Sequence, residues 1–297
     1  MDALSRISDF RSSAAGTARD VREHTNLELE IPFFGSRVEA ASFVAIALGR
    51  AIALLPQTVH YVDFGGGQGI LAREMTDALI GAGRTAITTV VDANPSYLAD
   101  ARARGLQVAL ENIESCTMSD VDLATMRLVI HYCGPDQQAS ILQRIHRTLA
   151  PGGVFVSQIE TGEEDVCRLQ ARIANALSTE SRFGYHWPTL SEYIEIARRA
   201  GFDEMDVIGE SRAVDTSFNE ALAAAWRRFH GRELRELASQ ERLIEMNQLL
   251  AQRARFFRES HALIAETFGN VPGVDTQSLG LQKFRLHYPI VFCRRAK

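Results

Sequence analysis

The sequence predicts an α/β fold. It is a doubly wound, mainly parallel seven-stranded sheet with an N-terminal helical segment and a helical lid or arm inserted between the last two strands. Three observations carry this reading. From residue 58 to 160, β-branched or aromatic runs alternate with amphipathic helical stretches. Glycine or proline punctuates most of the junctions between them. Finally, about 70 residues of helical character separate the last two strand-like runs, a segment that an alternating fold does not need.

The elements follow in order. "RVEAASFVAIALGRAIALL" (37–55) has the composition of a buried amphipathic helix, and "TVHYVDF" (58–64) is a strand ending at glycines. "ILAREMTDALIGAG" (70–83) is a helix stopped at Gly81 and Gly83, and "AITTVVDA" (86–93) is a strand. "PSYLADARARG" (95–105) is a helix with Pro at its start and Gly at its end. "LQVALEN" (106–112) and "MRLVIHY" (126–132) read as strands. "PDQQASILQRIHRTLAPGG" (135–153) is a helix with Leu142, Ile145 and Leu149 on one face, and "VFVSQIE" (154–160) is the fifth strand. Beyond 160 the pattern loosens. "TLSEYIEIARRAGF" (189–202) is a helix entered at Thr189 or Ser191, and "EMDVIGES" (204–211) is a strand. The last strand, "FRLHYPIVFCRR" (284–295), contains Pro289, which suits an edge or a bulge. Within the intervening segment Leu250, Ala254, Phe257, His261, Ile264 and Phe268 form one helical stripe. The organisation expected is a helical cap over 1–56, a core over 57–214, an insertion over 215–282 and a final core strand over 283–297.

Composition bounds the function. At 297 residues and 46% hydrophobic the chain can bury a full core, and a net charge of -5 argues against a nucleic-acid surface. No run of eighteen apolar residues or signal-peptide pattern appears, so a cytoplasmic protein without a membrane span is expected. Cys116, Cys133, Cys167 and Cys293 are scattered, as reduced buried thiols would be, and no spaced carboxylate cluster calls for a metal.

The chemistry concentrates at "YVDFGGGQG" (61–69). A strand running into a glycine turn that opens a helix puts backbone N–H groups at the carboxyl edge of the sheet, where ligands bind. A dinucleotide fingerprint needs Gly or Ala where Ile70 stands, and a carboxylate at Asp63 opposes a phosphate. The spacing is Gly65, Gly67, Gly69 after Asp63, which suits a cationic ligand and disfavours NAD.

This stretch resembles the first motif of the class I S-adenosylmethionine-dependent methyltransferases, apolar-apolar-acid-x-G-x-G-x-G, at each defined position. The resemblance covers about 58–211 and the final strand, including the Pro-Gly-Gly before strand five, and implies a Rossmann-like core. It implies that Gly65, Gly67 and Gly69 admit the amino-acid tail of the cofactor while Asp63 helps to hold its ammonium. It further implies that Asp92, ending the second strand, takes both ribose hydroxyls, and that Asn112 and Ile113 contact the adenine. Asn112 departs from the usual Asp, and its amide oxygen still accepts from an exocyclic amine. Asp92 can alternatively cap the helix that begins at Pro95.

"MRLVIHYCGPDQQASIL" also resembles the plant-type small-molecule O-methyltransferases, in which a His here is a general base; that makes His131 a candidate base, although Tyr132 and Cys133 replace the usual Asp and Trp. Candidate acceptor-pocket residues are Phe33, Tyr132, Tyr185, His186, Trp187, Trp226, His230 and Phe257, each also readable as ordinary core or connector. The expected activity is methyl transfer from S-adenosylmethionine to a small organic acceptor, oxygen or carbon first, by a chain that can dimerise through its insertion. The alternatives are a non-methylating binding protein or cyclase on the same fold, and an NAD-dependent oxidoreductase.

Overall fold

The computed structural model describes residues 37–177, 184–217, 219–220, 283–297 and part of 251–266. These fall into two compact units, one holding 37–162, 186–213 and 286–297, the other holding the described residues of 163–185 and 214–285.

Among the described residues, the sheet has seven strands: β1 (Thr58–Phe64), β2 (Thr85–Asp92), β3 (Gln107–Leu110), β4 (Val121–Arg127), β5 (Leu149–Gln158), β6 (Glu204–Ser217) and β7 (Lys283–Arg294). Their order is β3-β2-β1-β4-β5-β7-β6. β1 pairs in parallel with β2 and β4, and β5 pairs in parallel with β4 and antiparallel with β7. The expected α/β class holds, with the reversal of strand order at β1 and β4 opening the crevice where such sheets bind ligands.

Period-two alternation divides the core. Val59 and Tyr61 of β1 pack with α1 (Arg37–Ala51), α2 (Ile70–Gly81) and α3 (Pro95–Ala103). Val62 and Phe64 face the other layer, α4 (Pro135–Thr148) and a later helix, Leu190–Ala200. Phe43, Tyr61, Met75, Leu79, Phe155 and Phe292 are fully buried, each worth about 1.5–3 kcal/mol of transfer free energy. The Tyr193 hydroxyl crosses the second layer to donate to Ser157 Oγ at 2.7 Å.

Local chemistry explains the helix ends. Asn94 caps α3 by accepting from Ser96 N at 3.0 Å, with Pro95 in the first turn, so the cap is not Asp92. A capping box, Thr189 with Glu192, starts Leu190–Ala200, and Gly201 ends it in the left-handed region at φ 107°.

Several boundaries differ from the sequence reading. The fourth strand is Val121–Arg127, not 126–132: Leu128 turns out of the strand at φ 58°, its N–H bonds Gln158 O at 2.8 Å, and Ile130–Tyr132 forms a 3-10 turn. An apolar run mimicked a strand here because the turn is buried, with Ile130 and His131 both at 0% exposure. The fourth helix stops at Thr148, and β5 begins at Leu149 because the "LAPGG" stretch bridges Val121 before a register shift. The 37–55 helix ends at Ala51 and continues as a 3-10 turn.

Helix α5 (Glu164–Leu177) in the second unit was not anticipated. The Leu190–Ala200 helix is therefore α6. Pro289 sits in β7, an interior strand; its missing N–H falls where the β5 ladder ends at Ile290 and an isolated Thr161–His287 bridge takes over. In the second unit Asn175 Nδ2 donates to Ala171 O and Tyr185 O, and Arg285 pairs with Asp215. No helix among the described residues is long and apolar enough to cross a membrane. Residues 1–36 and most of the expected insertion lie outside the described residues.

Candidate functional site

β1 delivers the glycine turn to the carboxyl edge, and the turn is fixed by its own backbone: Gly65 N bonds Val91 O at 2.8 Å and Gly69 N bonds Gly66 O at 2.9 Å. The four glycines do different work. A Cβ at Gly65 would lie 2.7 Å from Val129 Cγ2, and one at Gly69 would lie 2.7 Å from Leu106 Cδ1, so both positions serve protein packing. A Cβ at Gly66 would meet Asp63 Oδ2 at 2.6 Å. At Gly67 (φ 53°) the nearest described atom is Tyr97 Cδ2 at 3.9 Å, so this is the glycine whose face stays open.

Beneath the turn lies a polar stack. Thr125 Oγ1 donates to Asp63 Oδ1 at 2.7 Å. Having spent its one proton there, Thr125 accepts from the Tyr61 hydroxyl at 2.7 Å. Asp63 is 1% exposed, and its Oδ2 has no hydrogen-bond partner among the described residues. Burial pushes its pKa up to about 7; the Thr125 bond and Arg127 oppose that, and Asp92 adds to it.

Asp92 closes β2 and faces the turn. Oδ2 accepts from Gly67 N at 2.9 Å and Oδ1 from Asn94 N at 2.8 Å. Burial raises its pKa, against the backbone bonds from Asn94, Gly67 and Ala93. The carboxylate keeps acceptor capacity beyond these bonds, which suits a ribose hydroxyl. Asn112 is exposed, caps a 3-10 turn by accepting from Glu114 N, and is followed by buried Ile113.

His131 lies on the turn after β4. Its ring stacks on Trp187 at 4.9 Å and 16° and tilts against Tyr132 at 4.4 Å. Trp187 Nε1 donates to Glu160 Oε1 at 3.0 Å, and His186 N donates to His131 O at 3.1 Å. Gln138 Nε2 holds this arrangement, within reach of Ile130 O, Cys133 O and His186 O at 3.1, 2.9 and 2.7 Å. The structure therefore brings Tyr132, His186 and Trp187 to His131. Tyr185 belongs to the second unit, as does Phe257, whose ring meets His261 edge-on at 6.3 Å. Phe33, Trp226 and His230 lie outside the described residues.

Sequence reasoning missed Arg127, the last residue of β4. Burial lowers its pKa, while the carboxylates of Asp63 and Glu39 pull the other way. The signal was an arginine at the end of an apolar run; the misplaced strand hid its position at the sheet edge.

Residues 62–153 match the family model described as "Methyltransferase domain". Among solved structures, the YcgJ protein of Bacillus subtilis is similar at 13% identity, over 86% of this chain and 98% of that one, with a TM-score of 0.56. A candidate sarcosine dimethylglycine methyltransferase from Galdieria sulphuraria is similar at 14% identity, over 99% of each chain, with a TM-score of 0.53. A search among curated proteins finds no match by sequence. Likeness at these identities speaks for the fold alone, and the domain match covers under a third of the chain.

Proposed function

We infer that this chain is a class I S-adenosylmethionine-dependent methyltransferase, with the methyltransferase-domain match over residues 62–153 in support, and that it methylates an oxygen or carbon of a small organic acceptor. The observation that carries the cofactor half is the coupling of Gly67 N to Asp92 Oδ2 across an open glycine face at the sheet edge. The residues present fit the group: an open backbone for an amino-acid tail, free acceptor directions on Asp92 for ribose, and a buried carboxylate below Gly66 for a nearby cation. S-adenosylmethionine, when bound, supplies an electrophilic methyl carbon. What this chain has to do is hold the acceptor in line with it and keep water out. We assign Asn112 and Ile113 to the adenine side, and the domain limits stated above to this reading. The acidic balance of the chain supports a small acceptor over a nucleic acid.

Calorimetric titration with S-adenosylhomocysteine and NAD tests this. Binding of S-adenosylhomocysteine on the order of micromolar, with none of NAD, is expected. NAD binding alone would overturn the reading.

His131 is fully buried and stacked on Trp187, which favours ordering of the acceptor wall over proton transfer. Accordingly, His131→Phe should keep the pH profile of turnover between pH 6 and 9. A loss of rate in that variant that removes an acid limb seen in the parent would make His131 the base.

A further inference from the structure

We propose that Arg127 anchors the α-carboxylate of the cofactor's amino-acid tail. The proposal rests on the cofactor reading above and adds to it the residue that meets the negative end of that tail.

An amino-acid tail is a zwitterion, and a partly desolvated site must answer both of its charges. Asp63 answers one, from beneath Gly66. The parallel ladder pairs Asp63 with Thr125, and Arg127 follows Thr125 by two residues at the end of β4. Strand alternation puts Arg127 on the same side of the sheet as Thr125 and Asp63, at the carboxyl edge. Val129, two residues on, approaches within 2.7 Å of where a Gly65 Cβ would be, which confirms that this turn borders the glycine loop. Arg127 is half-buried, so its charge is partly desolvated.

Among the described residues, Arg104 also borders the loop; it is exposed and donates Nε to Gln68 O at 3.0 Å. For Arg127, the charges of Asp63 and of Glu39, in the first turn of α1, oppose the lowering of its pKa by burial. Together they form a charge pattern of alternating sign into which a zwitterion fits, its ammonium toward Asp63 and its carboxylate toward Arg127. A guanidinium fork is matched to a carboxylate in a way that an ammonium is not.

The experiment titrates the full chain and Arg127→Gln with S-adenosylhomocysteine and with its decarboxylated analogue, which keeps the ammonium and lacks only the carboxylate. The variant should lose about 10- to 100-fold in affinity for S-adenosylhomocysteine, the span of one charge-assisted hydrogen bond. Its affinity for the analogue should match the parent's, and the parent itself should prefer the intact compound. Arg127→Lys, which retains charge without the fork, should fall between and serves if the Gln variant does not fold. Equal losses for both compounds would make Arg127 a structural tie between α1 and the sheet and overturn the proposal, as would no loss. A parent that binds neither compound fails at the cofactor reading itself, a different result from a parent that binds both equally.

Discussion

Asp92→Ala is expected to lose at least about 100-fold in affinity for S-adenosylhomocysteine, enough to abolish turnover at micromolar cofactor. Two effects add. The variant forfeits the acceptor directions left for a ribose diol, each charge-assisted bond being worth about 1.5–3 kcal/mol. It also strips Gly67 N and Asn94 N of their acceptor, so the open face of the glycine turn loses its fixed aim. Asp92→Asn separates the two, since one oxygen remains to accept while the charge is gone. Calorimetry on both variants, with melting temperature as a check on folding, is the measurement. Normal binding by Asp92→Ala would remove Asp92 from the site.

Asp63→Asn should melt above the parent at pH 8.5 while binding the cofactor less tightly. The sign follows from the raised pKa. The carboxyl moves from 3.8 to about 7 on folding, so between those pH values the folded state keeps a proton that the unfolded state has released. Stability contributed by Asp63 is therefore lost as pH rises through that window, and the full cost, about 4 kcal/mol at most, is present above it. An amide keeps the Thr125 bond without the charge. The stability gap between variant and parent should narrow steadily from pH 7 toward pH 4, read from chemical denaturation at several pH values. Retaining the carboxylate despite that cost makes sense if a cation above Gly66 repays it. A variant less stable than the parent at pH 8.5 would mean that Arg127 already neutralises Asp63 in the free protein.

Much of the fold was legible because the signals were local. The glycine turn after β1, Pro95 at the head of α3 and the Thr189 capping box are each set by a few adjacent residues. Asp63 and Asp92 were legible for the same reason, as carboxylates at the ends of well-marked strands. What failed was long-range. Whether 126–132 or 121–127 forms β4 depends on pairing with β1 and β5, since both runs are apolar enough to be buried. That error displaced Arg127 from the sheet edge and concealed its relation to Asp63. The packing of Gly65 and Gly69 against Val129 and Leu106 was invisible for the same reason, because residues distant in sequence supply the crowding. The fourth strand's buried turn also gave no sign that Gln138 would gather three carbonyls about it.

The strand order has a consequence for how the chain is made. β6 emerges from the ribosome well before β7, yet in the finished sheet its neighbour is β7, lodged between it and β5. Until β7 is synthesised, the outer edge of β5 stands open, with Phe155 and Val156 beside unsatisfied backbone groups. A β1–β5 half that folds before β7 is made would carry an adhesive edge, which β7 has to slot in to cover. Chaperone demand during expression, and sensitivity to anything that delays synthesis of β7, should concentrate at that step.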